Sequence, residues 1–373
     1  MKKLVFDDDE GLQAYSEDIP PDRELVTTPY DPPVKTLVSE IKQKDLIVNP
    51  PFQRKSIWDA TRKSRLIESL LLNIPIPVCF FAEDKDGSKV VVDGQQRLRA
   101  IEEFLSGSYA LTGLQVLDKL NTMRWTDLTP RQTRIIENRT IRCIVISDRS
   151  DENIRFEVFE RLNTGGVPLN DQELRNCVYR GGFNDLLDEL TRDRVWLFLL
   201  GQKAPDKRLR HHELILRYFA INKGINSYKP PLKGFLNDYM KSTRNPSEDA
   251  LALMKADFMA AVSAVHAVFG DRAFRRVKVI EGESLWDSAL NRAVFDIQML
   301  GLQGLSVSDL NAVAPLILAS FETLCRNDAA FSESITKSTA DRRKFYLRLL
   351  MFRDILRKAG LVSPILENIP VSI

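Results

Sequence analysis

Histidine and cysteine are scarce in this 373-residue chain, with three of the first and four of the second, and neither set is spaced as ligands. Cys79, Cys143, Cys177 and Cys325 are far apart and form no Cys-x-x-Cys pair or Cys/His cluster. That spacing argues against a zinc site and fits buried thiols in a reducing compartment. His211 and His212 are adjacent, so they point to different faces of a helix, and no third ligand accompanies them. Net charge is nearly absent as well. The 53 basic and 51 acidic residues leave +2, so there is no overall polycationic signature for nucleic acid, although local basic surfaces stay open. No uninterrupted apolar stretch looks long enough to span a bilayer. Lys2-Lys3 runs into Asp7-Asp8-Asp9-Glu10 instead of the apolar core of a signal peptide. A cytoplasmic protein with no membrane partner is the expectation.

What is present is an ordinary globular composition, 44% hydrophobic and 28% charged, in a chain long enough for two cores. Residues 1–33 are acidic and then proline-rich and are expected to form an extended arm. From Val34 the pattern mixes short helices and strands. Asp59 can cap a helix whose buried stripe is Leu66, Ile67, Leu70 and Leu71. Asp84-Lys85-Asp86-Gly87 predicts a hairpin between the strand at Val78 to Ala82 and the one ending at Asp93. Past Gly181-Gly182, helical stripes take over: Leu214, Ile215, Tyr218, Phe219; Leu251 to Phe269; Trp286, Leu290, Ala293, Ile297, Leu300; and Phe345, Leu349, Phe352, Leu356. Domains at 34–182 and 183–373 follow, the second helical. Two basic runs, Arg272 to Lys278 and Arg342 to Arg348, are either solvated helix faces or a surface for DNA or a subunit.

The stretch most suited to chemistry is Val90-Val91-Val92-Asp93-Gly94-Gln95-Gln96-Arg97, where a β-favouring run meets an amphipathic helix. A helix N-terminus presents unpaired N–H groups and partial positive charge, so this turn can hold an anion such as a phosphate. Asp93 can orient water or a metal ion, Gly94 admits a ligand to the backbone, and Arg97 can clamp phosphate through its planar fork. The competing explanation is a capping box between Asp93 and Gln96. It gives no role to Gln95 or Arg97, and residue chemistry alone leaves both open. Further along, a helix with an apolar line at Ile154, Val158 and Leu162 ends in Arg161-Leu162-Asn163-Thr164-Gly165-Gly166. The double glycine is either a C-terminal cap or a second ligand loop.

Three stretches together resemble a known family. Pro51-Phe52-Gln53-Arg54 with Trp58 and Leu66 to Leu71, then DGQQRL, then Phe159 to Gly166 with Glu173-Leu174-Arg175-Asn176 look like the N-terminal domain of GmrSD-type restriction endonucleases. The resemblance implies an α+β chain: a ParB/sulfiredoxin-like domain with a small mixed sheet, followed by a mostly helical domain. It implies an NTP-binding and NTP-hydrolysing, Mg²⁺-dependent component of a prokaryotic defence system acting on foreign or modified DNA. The catalytic role maps onto Asp93, Gln95, Gln96 and Arg97, and nucleotide binding onto Gln53, Arg54, Gly94, Glu160, Arg161, Asn163, Thr164, Gly165 and Gly166. The base of the nucleotide and the metal ligands are not specified. Complete members carry a His-Asn-His nuclease domain or partner, and no histidine follows His266 here. The expected partners are therefore an NTP, a separate HNH-type nuclease subunit, DNA and further copies of the chain. A non-catalytic DNA-binding or protein-interaction adaptor and a weak stand-alone nuclease are the alternatives.

Overall fold

The computed structural model describes residues 24–48, 58–162, 169–280 and 283–369. It divides into two compact units, the first ending at Val178 and the second beginning at Tyr179. The first unit runs β1 (Thr27–Tyr30), α1 (Val34–Gln43), β2 (Leu46–Ile47), α2 (Ala60–Leu72), β3 (Cys79–Glu83), β4 (Lys89–Asp93), α3 (Gln95–Leu105), α4 (Pro130–Asn138), β5 (Cys143–Ile146), α5 (Glu152–Leu162) and α6 (Asp171–Val178). Its five strands lie in the order β1-β5-β3-β4-β2. β3 pairs antiparallel with β4 and parallel with β5, so the sheet is mixed.

Local chemistry accounts for most of these elements. Val90, Val91 and Val92 are all buried, as expected of an inner strand covered on both faces. Gly87, at φ +82°, closes the hairpin, with its N–H on the Asp84 carbonyl at 2.9 Å. Asp59 caps α2 by accepting from the Arg62 N–H at 2.7 Å, and α2 buries Leu66, Ile67 and Leu70. Thr129 and Gln132 cap α4 reciprocally, with Pro130 at its first position. One face differs from expectation. On α5 the buried side chains are Arg155, Phe156 and Phe159, while Ile154, Val158 and Leu162 are only half-buried. The two large rings outweigh the smaller aliphatic line in apolar area, and they set the face that turns inward.

The second unit contains α7 (Gly182–Leu190), α8 (Arg194–Leu199), α9 (Arg210–Gly224), α10 (Leu232–Ser242), α11 (Glu248–Phe269), β6 (Val277–Ile280), β7 (Glu283–Trp286), α12 (Arg292–Leu302), α13 (Val307–Asn327), α14 (Ala329–Ser334) and α15 (Arg342–Lys358). With the mixed sheet of the first unit, this makes the chain α+β. The stripe expected from Trp286 onward is not one helix. Trp286 ends the β6–β7 hairpin, and α12 starts only at Arg292 behind the Asn291 cap. Trp286 still joins the core, because its ring stacks on Phe321 with centroids 6.0 Å apart. Glu248–Arg272 and Val307–Asn327, though interrupted by polar residues, are long and apolar enough, by length and composition alone, to cross a membrane. α11 and α13 instead pack on one another, with Phe269 and Phe321 in edge contact at 5.6 Å.

Candidate functional site

β4 delivers Asp93 to the turn, and Gly94 bends the chain into α3 at φ +101°, a left-handed conformation natural to glycine. Space demands glycine too. A Cβ at this position would lie 2.5 Å from the Cys79 Sγ. α3 has no side-chain cap, and its first internal bond runs from the Leu98 N–H to the Gly94 carbonyl at 2.9 Å. That bond leaves the start of α3 as the positive end of the helix dipole, directed at the turn.

The expected capping box between Asp93 and Gln96 does not form, since the cap position is Gly94. Asp93 instead meets Arg97 across one turn, Oδ2 to Nη2 at 2.6 Å. The picture of Arg97 as an exposed phosphate clamp is also corrected. Its side chain is 11% exposed, and its guanidinium donates to the Pro77 carbonyl and, at 3.3 Å, to that of Val78. The cause lies in the approach to β3. Ile74-Pro75-Ile76-Pro77 has no regular secondary structure, so its carbonyls near the start of β3 are not met by a helix or sheet ladder and accept from a side chain. Arg97 supplies it and fixes Asp93 at the same time. Gln95 is likewise tied back, donating Nε2 to the Val91 carbonyl at 3.0 Å. Gln96 is half-buried at the mouth of the turn.

Of the other expected site residues, Glu160 and Arg161 lie exposed on the last turn of α5. Gln53, Arg54, Asn163, Thr164, Gly165 and Gly166 lie outside the described residues. Two features were missed. Cys79 sits against Gly94 and in register with Cys143 on the neighbouring parallel strand, both fully buried. The adjacent Cys143 thiol and the Arg97 guanidinium hold the Cys79 thiol below its ordinary pKa against the opposing effect of burial, while Cys143 is pushed up. Only the pairing of two distant strands reveals that contact. The second is α6, where Gln172, Glu173, Arg175 and Asn176 are all nearly inaccessible. Gln172 donates to Asn176 at 3.0 Å and accepts from Arg175 at 3.2 Å, and Asn170 and Glu173 cap the helix reciprocally at 2.7 and 2.9 Å. An eight-residue helix with so few apolar residues was the available signal.

No group of three or more His, Cys, Asp or Glu side chains among the described residues could hold a metal ion. All four cysteines are free and buried, as their spacing suggested. His211 and His212 are buried as well. The basic runs are divided: Arg342 and Arg343 are exposed, while other members meet carboxylates. Arg272 pairs with Glu322 at 3.5 Å, Arg276 with Asp287 at 3.7 Å, and Lys344 with Glu333 at 2.9 Å. Arg348 is completely buried beside Asp296.

The first unit is thus an α+β domain organised around a strand, a glycine turn and the open positive end of a helix. Residues 34–180 match the family described as GmrSD restriction endonuclease, N-terminal domain, and this part of the chain is a domain of that family. Membership associates the protein with restriction and defence systems. None of the curated proteins matches the chain.

Proposed function

We propose that the 34–180 domain binds a nucleoside triphosphate at the 93–97 turn and hydrolyses it, as the nucleotide-gated component of a restriction system acting on foreign or modified DNA. The observation that carries this is the end of α3, left without a side-chain cap beside a carboxylate that Arg97 holds in place. The positive end of α3, with the backbone amides of Gln95 and Arg97, donates to phosphate oxygens. Gln96 positions the attacking water, and Asp93 orients it. Water adds to the γ-phosphorus, the bond to the β–γ bridging oxygen breaks, and inorganic phosphate and the diphosphate leave. Arg97 acts as a positioning residue. Arg161, exposed at the end of α5, is the described cation proposed to meet the phosphates.

Magnesium fits this site only as an ion that arrives on the triphosphate. Asp93 is a single carboxylate, and no resident metal cluster surrounds it among the described residues. Bound Mg²⁺ neutralises charge on the β- and γ-phosphates. Residues 1–373, with histidines only at 211, 212 and 266, carry no histidine-dependent nuclease centre, so DNA cleavage is left to an HNH-type nuclease outside this stretch. The test is thermal denaturation of the purified chain with each of the four ribonucleoside triphosphates and Mg²⁺, followed by phosphate release. A nucleotide at a hundred times its dissociation constant adds ~2.7 kcal/mol of stability. Gln96→Ala should lose phosphate release while the nucleotide still stabilises the variant. Absence of stabilisation by any of the four overturns the proposal.

A further inference from the structure

α13 carries a long apolar window yet is buried along one side only. Leu310, Ile317, Phe321 and Cys325 face the core of the helical unit. On the opposite face Asp309, Ala312, Leu316, Ala319, Thr323 and Arg326 are all exposed, and only 22% of the apolar window of this helix is buried. At the centre of this face Ala312, Leu316 and Ala319 form a small apolar strip without a partner among the described residues, and charged residues close both ends. The exposed residues recur at alternating steps of three and four, the spacing of a coiled-coil seam. Beside them lies a groove of about 380 Å³, where Ala319, Ser320, Thr323 and Leu324 meet Met351, Asp354, Ile355 and Lys358 of α15.

We propose that this seam is a self-association surface and that its occupant is α13 of a second copy of the chain, packed antiparallel about a two-fold axis. The order of residues along the seam selects that partner. An axis passing between Leu316 and Ala319 sets Leu316 of each copy against Ala319 of the other and Ala312 against Thr323. It also sets Asp309 against Arg326. Large meets small at the centre, and opposite charges meet at both ends. Parallel packing would instead bring Asp309 onto Asp309 and Arg326 onto Arg326. Each Leu316 enters the groove beside Ala319 of its partner, next to Met351 and Ile355. Asp309 has no ion pair among the described residues, and Arg326 bonds only the neighbouring Asn327 side chain, at 3.2 Å, so both charges are available. A lipid bilayer is a poorer occupant. Ile317 and Phe321 hold the other side of α13 in the core, and both seam ends are charged.

Sedimentation velocity of the full chain, from micromolar to several hundred micromolar, should show a reversible monomer–dimer equilibrium. Asp309→Arg or Arg326→Asp alone should weaken dimerisation by about tenfold or more, and the two together should restore it. Helicity and melting temperature establish that each variant is folded. As a second measurement, Ala312→Cys with Thr323→Cys should cross-link two chains on mild air oxidation, whereas neither single variant should. Within one helix these positions are too far apart to bond. A chain that stays monomeric throughout, a double charge swap that does not restore the dimer, or flotation of the wild type with zwitterionic vesicles overturns the proposal.

Discussion

Asp93 meets Arg97 at 2.6 Å in the first unit, and Asp296 meets Arg217 at 2.6 and 2.7 Å in the second, yet the surroundings of the two contacts differ. Asp296 and Arg348 are fully closed off and Arg217 nearly so. Arg348 adds a 3.3 Å contact to the same carboxylate and donates to the carbonyls of Ser334 and Thr339. Asp93 keeps a third of its surface open, on a turn whose helix end has no side-chain cap. A closed ionic cluster joins α9, α12 and α15 and has no water to exchange with. A half-open pair also holds a carboxylate in a fixed direction toward solvent, where a ligand can meet it. Position in the fold, more than the identity of the pair, separates scaffold from site.

The contrast can be broken hardest at its closed end. Asp296→Ala leaves Arg217 and Arg348 as buried charges without their carboxylate, and urea denaturation should register a loss of about 4 kcal/mol. Acid should weaken the same unit next. All three histidines lie in it, and burial pushes His211 down to about 4. Neither ring nitrogen of His211 has a hydrogen-bond partner. The unfolded chain takes up this proton near pH 6.5, so the stabilisation is complete above that value and is lost as pH falls toward 4. Roughly 3 kcal/mol is at stake. Hydrogen exchange at pH 7 and pH 4.5 should show α9 opening at the lower pH, with a smaller change after His211→Phe.

Arg97→Ala should follow, at about 2 kcal/mol, because the carbonyls of Pro77 and Val78 lose their donor. Nucleotide stabilisation should disappear with it as the turn relaxes. Asp93→Asn sharpens the comparison from its mild side. Arg97 keeps its carbonyl partners, so stability should change by no more than ~1 kcal/mol while phosphate release is lost. Equal destabilisation by Asp93→Asn and Asp296→Asn would erase the distinction between the two contacts.

Local features were legible from residues near one another in the chain. The Asp84 to Gly87 turn, the Asp59 and Thr129 caps and the passage from Val90-Val91-Val92 into α3 follow from propensities acting over a few residues. The DGQQR resemblance also lies in one contiguous stretch. Partners were not legible. Arg97 turns inward because carbonyls some twenty positions earlier arrive beside it, and Cys79 reaches Gly94 only when β3 and β4 pair. The β6–β7 hairpin was hidden inside a helical stripe, and Arg348 in a basic run that pattern alone assigns to solvent.

The sequence by itself determined the identities, caps, turns and apolar periods, because these depend on each residue's own backbone preferences and on neighbours within about a helical turn. Tertiary structure alone decided which polar groups were spent on one another: Arg97 on Pro77 and Val78, Arg217 and Arg348 on Asp296. A charged side chain has the same chemistry in water or in a core. Its role is set by the partners that distant segments bring to it and by the solvent they exclude.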